Sequence, residues 1–136
     1  MPLEVLIIED NRSNLELMTY LLNAFGHKVV QAENGGLGLR AATSGDFDII
    51  LCDVHLPDIS GTEIAALIKD AAQQPRPPLI AVTALAMMGD RERLLGAGFD
   101  GYITKPIEPR SFVQQIETAA QMDLALFGQH HSPRGK

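Results

Sequence analysis

Tryptophan is absent from this 136-residue sequence, aromatic residues make up 5% of it, and cysteine occurs once. The lone thiol, Cys52, excludes an internal disulfide, so the fold must rest on a packed core, and a reducing compartment is expected. No apolar run approaches the roughly 18 residues needed to cross a bilayer. The opening "MPLEVLIIED" carries acids where a signal peptide would have an unbroken apolar stretch, so a cytoplasmic protein without membrane contact is expected. Positive charge is also short: 11 Lys and Arg against 17 Asp and Glu give a net charge of −6. Binding a phosphate backbone needs a basic patch, so nucleic acid is excluded as the main partner. What remains is ordinary for a globular protein: 46% hydrophobic and 21% charged residues, in a chain long enough for one domain with a real core.

Apolar runs at Val5–Ile8, Phe47–Cys52, Leu79–Val82 and Tyr102–Ile103, with a shorter one at Lys28–Val30, predict five strands. The first, third and fourth in chain order read apolar with little alternation, as strands covered on both faces of a parallel sheet do. Helical spacing lies between them. Leu15, Met18, Leu22 and Phe25 form one stripe, stopped by Gly26. Ser60 with Glu63 fits a capping box, followed by the stripe Ile64, Leu67, Ile68 and Ala71. Met87 to Leu95 makes a further helix before "GAG", and Pro109 suits a first turn leading to Phe112, Val113 and Ile116. Asn34–Ser44 carries three glycines and is the least helix-like of the five. The order βαβαβαβαβα predicts a flavodoxin-like α/β fold, a doubly wound parallel sheet of order 2-1-3-4-5. It spans residues 3–121, and residues 122–136 are expected to form a mobile tail.

In such folds the site lies beyond the carboxyl ends of the strands. The first strand ends in Glu9–Asp10, the third in Asp53, the fourth in Thr83, and the fifth leads to Lys105–Pro106. Taken singly, these residues are unremarkable. An acidic pair after a strand often only favours a helix N-terminus, Thr83 could be a plain strand residue, and Lys105 could be merely solvated. Taken together they converge on one edge. Carboxylates about 5 Å apart repel by on the order of 3 kcal/mol per pair at an effective dielectric near 20. Left alone, the cluster should raise at least one carboxyl pKa. A hard divalent cation, most simply Mg2+, would relieve it, with Lys105 supplying further positive charge. Phosphoryl transfer suits this set: a metal to bridge oxygens, an aspartate as nucleophile, and a hydroxyl and an ammonium to hold phosphoryl oxygens. His27, His130 and His131 give only a weak metal signal, and His55 reads as a solvent-facing side chain.

The segments "VLIIEDN" (5–11), "DIILCDVHLPDISG" (48–61), "PLIAVTA" (78–84) and "GYITKPI" (101–107), with "AMMGDRERLLGAGFDGY" between, resemble the response-regulator receiver domain of two-component signalling, the CheY-like superfamily. The likeness is to stand-alone receivers of the DivK type and to receivers of hybrid kinases. The resemblance implies that Asp53 accepts a phosphoryl group from a histidine kinase or histidine phosphotransfer protein. It implies Mg2+ held by Glu9, Asp10, Asp53 and the backbone carbonyl of His55, with Asp10 the more direct of the first two. Thr83 and Lys105 would bind the phosphoryl group, Tyr102 would be the switch aromatic, and the Lys105–Pro106 peptide would be cis. Phosphorylation would alter the face of the fourth helix, fifth strand and fifth helix for a downstream protein. The chain would act as a switch rather than an enzyme, catalysing only its own phosphorylation and its slow self-dephosphorylation, and would be a monomer or weak dimer. His55 and Leu85 stand where the family tunes phosphoryl lifetime, and leucine cannot orient an attacking water. Three rivals fit less well. An aspartate-nucleophile phosphatase of the haloacid dehalogenase type would want an acid where His55 stands. A flavin-binding relative would want a phosphate cradle where "EDNRSN" is acidic. A never-phosphorylated module would not need the full set of site residues.

Overall fold

The structure is a computed structural model, and it describes residues 2–71, 76–84 and 89–121. Five parallel strands, β1 (Glu4–Ile8), β2 (Lys28–Ala32), β3 (Ile49–Asp53), β4 (Leu79–Thr83) and β5 (Gly101–Thr104), line up in the order β2-β1-β3-β4-β5. They alternate with α1 (Arg12–Ala24), α2 (Gly35–Ser44), α3 (Gly61–Ala71), α4 (Asp90–Ala97) and α5 (Pro109–Ala120). The order reverses between β1 and β3, so their carboxyl ends flank the crevice where such sheets bind ligands.

Burial explains the strand patterns. All of β3 and β4 is buried, and so is β1 from Val5 to Ile8. Alternate residues go to opposite layers. Val5, Ile7, Leu51, Ile80 and Val82 pack with Leu15, Met18, Leu22, Phe112 and Ile116 of α1 and α5. Leu6, Ile8, Ile50, Cys52, Leu79 and Ala81 pack with Ile64, Ala65, Ile68 and Leu94 of α3 and α4. The edge strands β2 and β5 are covered only in part, which is why they read weakly in the sequence.

Helix ends follow side-chain chemistry. Asn11 and Asn34 cap α1 and α2, accepting from the N–H groups of Asn14 and Leu37, each at 2.9 Å. Ser60 accepts from Glu63 N at 3.2 Å, and Pro109 opens α5. The glycines of α2 have a packing role: a Cβ on Gly38 would fall 2.5 Å from Ile8 Cδ1, so glycine brings the helix close to β1.

Some expectations shift. Phe25 stands at the α1 C-cap and is 66% exposed rather than on the buried stripe. Leu67 is likewise exposed beside the buried Ile64 and Ile68. The fourth helix continues past Leu95 to Ala97 and stops at Gly98, whose φ is 121°. The side chains of Leu85, Met87 and Ala71, and the expected tail over 122–136, lie outside the described residues.

Polar ties hold the opposite edge of the sheet. Leu79 N donates to Asp100 Oδ2 at 2.8 Å, and Arg76 clasps the same carboxylate through two bonds of 2.8 and 3.0 Å. Leu3 N donates to His27 Nδ1 at 3.0 Å. A nitrogen that accepts carries no proton, so Nε2 of the neutral ring donates to Glu117 Oε2, 2.7 Å away. Both ring nitrogens are thus engaged, and His27 is not open to a metal.

Candidate functional site: carboxylates and a lysine at the switch point

Ending an apolar strand on Asp53 places a carboxylate at the rim of the core, 5% exposed. Glu9, just past β1, is 1% exposed, whereas Asp10 faces outward. One carboxylate oxygen from each of the three lies within 4.8 Å of the others. Lys105 enters from the end of β5, where its own N–H bonds to Thr83 O at 2.8 Å. Its ammonium lies 3.0 Å from Glu9 Oε1 and 3.3 Å from Asp53 Oδ2. The Lys105–Pro106 peptide is cis.

Backbone groups orient the acids. Asn11 N donates to Glu9 Oε2 at 3.2 Å, and His55 N donates to Asp53 Oδ1 at 3.1 Å. Glu9 N in turn donates to Ala32 O at 3.0 Å, which ties it to β2. Gly61 closes the loop after β3 by donating to Val54 O at 2.7 Å. A Cβ there would lie 2.5 Å from Asp53 O and 2.6 Å from Val54 Cα, so only glycine permits this turn.

The electrostatics follow from burial. Glu9 is pushed up to about 7, first by its removal from water, then by its hydrogen bond and charge contact with Asp53, against the pull of Lys105. Burial lowers the tendency of Lys105 to hold its proton, but Glu9 and Asp53 outweigh it and the net shift is upward. Burial, then the charges of Asp53 and Glu9, push the Cys52 thiol up and leave it unreactive. Glu9 Oε1 is buried and receives no well-directed hydrogen bond despite the nearby ammonium. An under-bonded buried oxygen beside two further carboxylates is the donor set that a hard cation such as Mg2+ takes.

Other expected residues fall around this centre. Thr83 ends β4 and is fully buried, in register with Thr104. Tyr102 is 39% exposed and pairs with Ala81, on the sheet face covered by α3 and α4. The His55 side chain is exposed. Asp58 went unnoticed in the sequence. Its carboxylate reaches across to α2, accepting from Gly35 N at 2.7 Å and Gly36 N at 2.9 Å. Nothing in the linear order pairs residues 35 and 58. The available signal was a two-glycine helix start facing a short acidic loop.

A 2-1-3-4-5 sheet with three carboxylates and a lysine at its switch point defines a flavodoxin-like α/β protein with an oxygen-rich acidic cluster. The chain belongs to the response regulator receiver domain family, whose model matches residues 5–117. It is 40% identical over 118 residues to the polar-differentiation response regulator DivK of Brucella anthropi, covering 87% of this chain and 96% of that protein. Among solved structures it is similar to the receiver domain of a sensor histidine kinase from Pseudomonas aeruginosa, at 30% identity and a TM-score of 0.80. That match covers 90% of this chain and all of the other, and the other holds a magnesium ion in its active-site cleft. A CheY-like receiver from Methanospirillum hungatei gives 30% identity and a TM-score of 0.79 over 88% of this chain and 94% of its own. Receiver domains are signalling switches of two-component systems. They bind Mg2+ at this acidic site and interact with histidine kinases or phosphotransfer proteins and with downstream effectors. No helix among the described residues is long and apolar enough to cross a membrane.

Proposed function

We propose that this receiver takes a phosphoryl group on Asp53 from a phosphohistidine of a kinase or phosphotransfer protein, in the cytoplasm, as a monomer or weak dimer. One observation carries the reading: the Asp53 carboxylate shares a 4.8 Å cluster with Glu9 and Asp10 while Lys105 Nζ stands 3.3 Å from its Oδ2. An Asp53 oxygen attacks phosphorus, the P–N bond breaks, and the donor imidazole leaves with the electron pair. Glu9, Asp10, Asp53 and the carbonyl of His55 would hold Mg2+, which supplies charge neutralisation for the transferring group. Lys105 exchanges its carboxylate contacts for a phosphoryl oxygen, and the Thr83 hydroxyl donates to another. The new charge draws Thr83 and Lys105 toward Asp53, and Tyr102 turns in from its exposed position. The remodelled α4–β5–α5 face then binds or releases a downstream protein. Leu85, with no polar group to hold a water, keeps the acyl phosphate long-lived.

Incubation with a small-molecule phosphodonor and Mg2+, read by intact mass, tests the proposal. Wild type should gain one phosphoryl group and Asp53→Ala none. Equal labelling of both would move the acceptor elsewhere.

A further inference from the structure

Asp58 joins two parts of the acidic site that covalent structure leaves separate. Glu9 and Asp10 follow β1, and the N–H of Glu9 is bonded to Ala32 O at the end of β2. Three residues on, α2 begins, and the N–H groups of Gly35 and Gly36 both donate to the carboxylate of Asp58, at 2.7 and 2.9 Å. Asp58 lies in the loop between β3 and α3, five positions after Asp53 and three after His55. Hydrogen bonds at either end of residues 32–36 therefore link Glu9, through the start of α2, to the loop that follows Asp53. The contact is close-fitting: a Cβ on Gly35 would stand 3.1 Å from Asp58 Oδ1 and 2.7 Å from Ile64 Cδ1.

Helix capping alone does not require this arrangement. Asn34 already caps α2 through Leu37 N at 2.9 Å. Asp58 instead reaches over from another loop and takes the two earlier N–H groups, with a negative charge at the positive end of the helix. Those N–H groups, Gly36 first and Gly35 next, hold its carboxyl below the usual range, so the brace is ionised across the working pH range.

We propose that Asp58 is a positioning residue for the cation site: it locks the loop after β3 against α2 and so sets the place of the His55 carbonyl relative to Glu9, Asp10 and Asp53, whose own strands are held by the β1–β3 pairing. The inference rests on the reading that these residues hold Mg2+. Asp58 does not touch the ion. It holds the loop that bears the His55 carbonyl against α2, and so lowers the ordering cost of binding.

The test is calorimetric titration of Mg2+ into the full chain, alongside thermal unfolding of the metal-free protein. Asp58→Ala should weaken Mg2+ binding by about tenfold, the scale of support lost when a partner behind the ligands is removed. Asp58→Asn, which keeps one acceptor oxygen but turns an amide N–H toward the other donor, should fall between, and it serves if the alanine variant does not fold. Asn34→Ala removes the cap of α2 without touching the loop. It should lower the unfolding temperature yet leave Mg2+ affinity unchanged. Unaltered affinity in Asp58→Ala, or an equal loss in Asn34→Ala, would overturn the proposal while leaving the cation site in place. Failure of wild type to bind Mg2+ would overturn the site reading, and this inference with it.

Discussion

Lys105 Nζ lies 3.0 Å from Glu9 Oε1, across 96 positions of sequence. The strand order makes the meeting possible: β1 and β5 reach the same edge of one parallel sheet, with β3 and β4 between. The ammonium also touches Asp53, so a single cation sits between two buried carboxylates. Any divalent ion entering the cluster competes with that ammonium for the same oxygens.

Removing the ammonium leaves two buried acids facing each other. Lys105→Ala should destabilise the metal-free protein by about 3 kcal/mol at pH 8, the usual cost of orphaning one side of a buried pair. The loss should shrink near pH 5, where Glu9 is protonated. Urea unfolding at both pH values checks this, and an equal loss at each would show that charge repulsion is not the cause. Once phosphorylated, the same variant should engage its downstream protein less well than phosphorylated wild type. Equal binding would remove Lys105 from the coupling.

The raised pKa of Glu9 fixes a pH dependence. In the unfolded chain the group titrates near 4.5, and in the folded protein at about 7. Between those values the folded state binds more proton, so the contribution of Glu9 to stability is full at low pH and falls as pH rises through about 7. Mg2+ must displace that proton, so its apparent affinity should climb from pH 6 and level off above about 7. Calorimetry across this range, with proton release measured in buffers of different ionisation enthalpy, would expose a flat profile if Glu9 were not a ligand.

Gly61→Ala should strike the acceptor through backbone alone. The added methyl meets Asp53 O and Val54 Cα at 2.5 and 2.6 Å, and neither atom can swing aside as a side chain would. A destabilisation of roughly 1–3 kcal/mol is expected from such crowding, with slower labelling by a phosphodonor. Wild-type behaviour in both assays would mean that the turn relaxes freely.

A contrasting prediction concerns the far edge of the sheet. Among the described residues, Arg76→Ala leaves the buried Asp100 carboxylate with only Leu79 N as a donor, and it should cost about 3 kcal/mol by denaturant unfolding. Mg2+ affinity should not change, because the pair lies at the amino ends of the strands. A matching loss of Mg2+ binding would show that the two edges are coupled.

The site was legible because its residues end apolar strands, and a 2-1-3-4-5 sheet brings those ends together. Glu9, Asp10, Asp53, Thr83 and Lys105 could each be placed from an adjacent apolar run. The supporting ties could not. Asp58 with Gly35, His27 with Glu117, and Arg76 with Asp100 join residues whose spacing carries no periodic signal. Each side chain also belongs to a type that is usually solvated. Exposure at Phe25 and Leu67 was missed for a related reason. Helical periodicity marks a stripe, but the cover available from neighbouring elements decides how much of that stripe is buried.

Glu9, Asp10 and Asp53 are expected to gather around one magnesium ion so that Asp53 can carry a phosphoryl group. Crystals grown with Mg2+ and beryllofluoride would show whether they do. Such crystals should show a tetrahedral beryllofluoride bonded to an Asp53 oxygen, a magnesium ion held among Glu9, Asp10 and Asp53, and the Lys105 ammonium drawn from Glu9 onto a fluorine. A pocket holding neither group, with Lys105 still 3.0 Å from Glu9, would contradict this expectation.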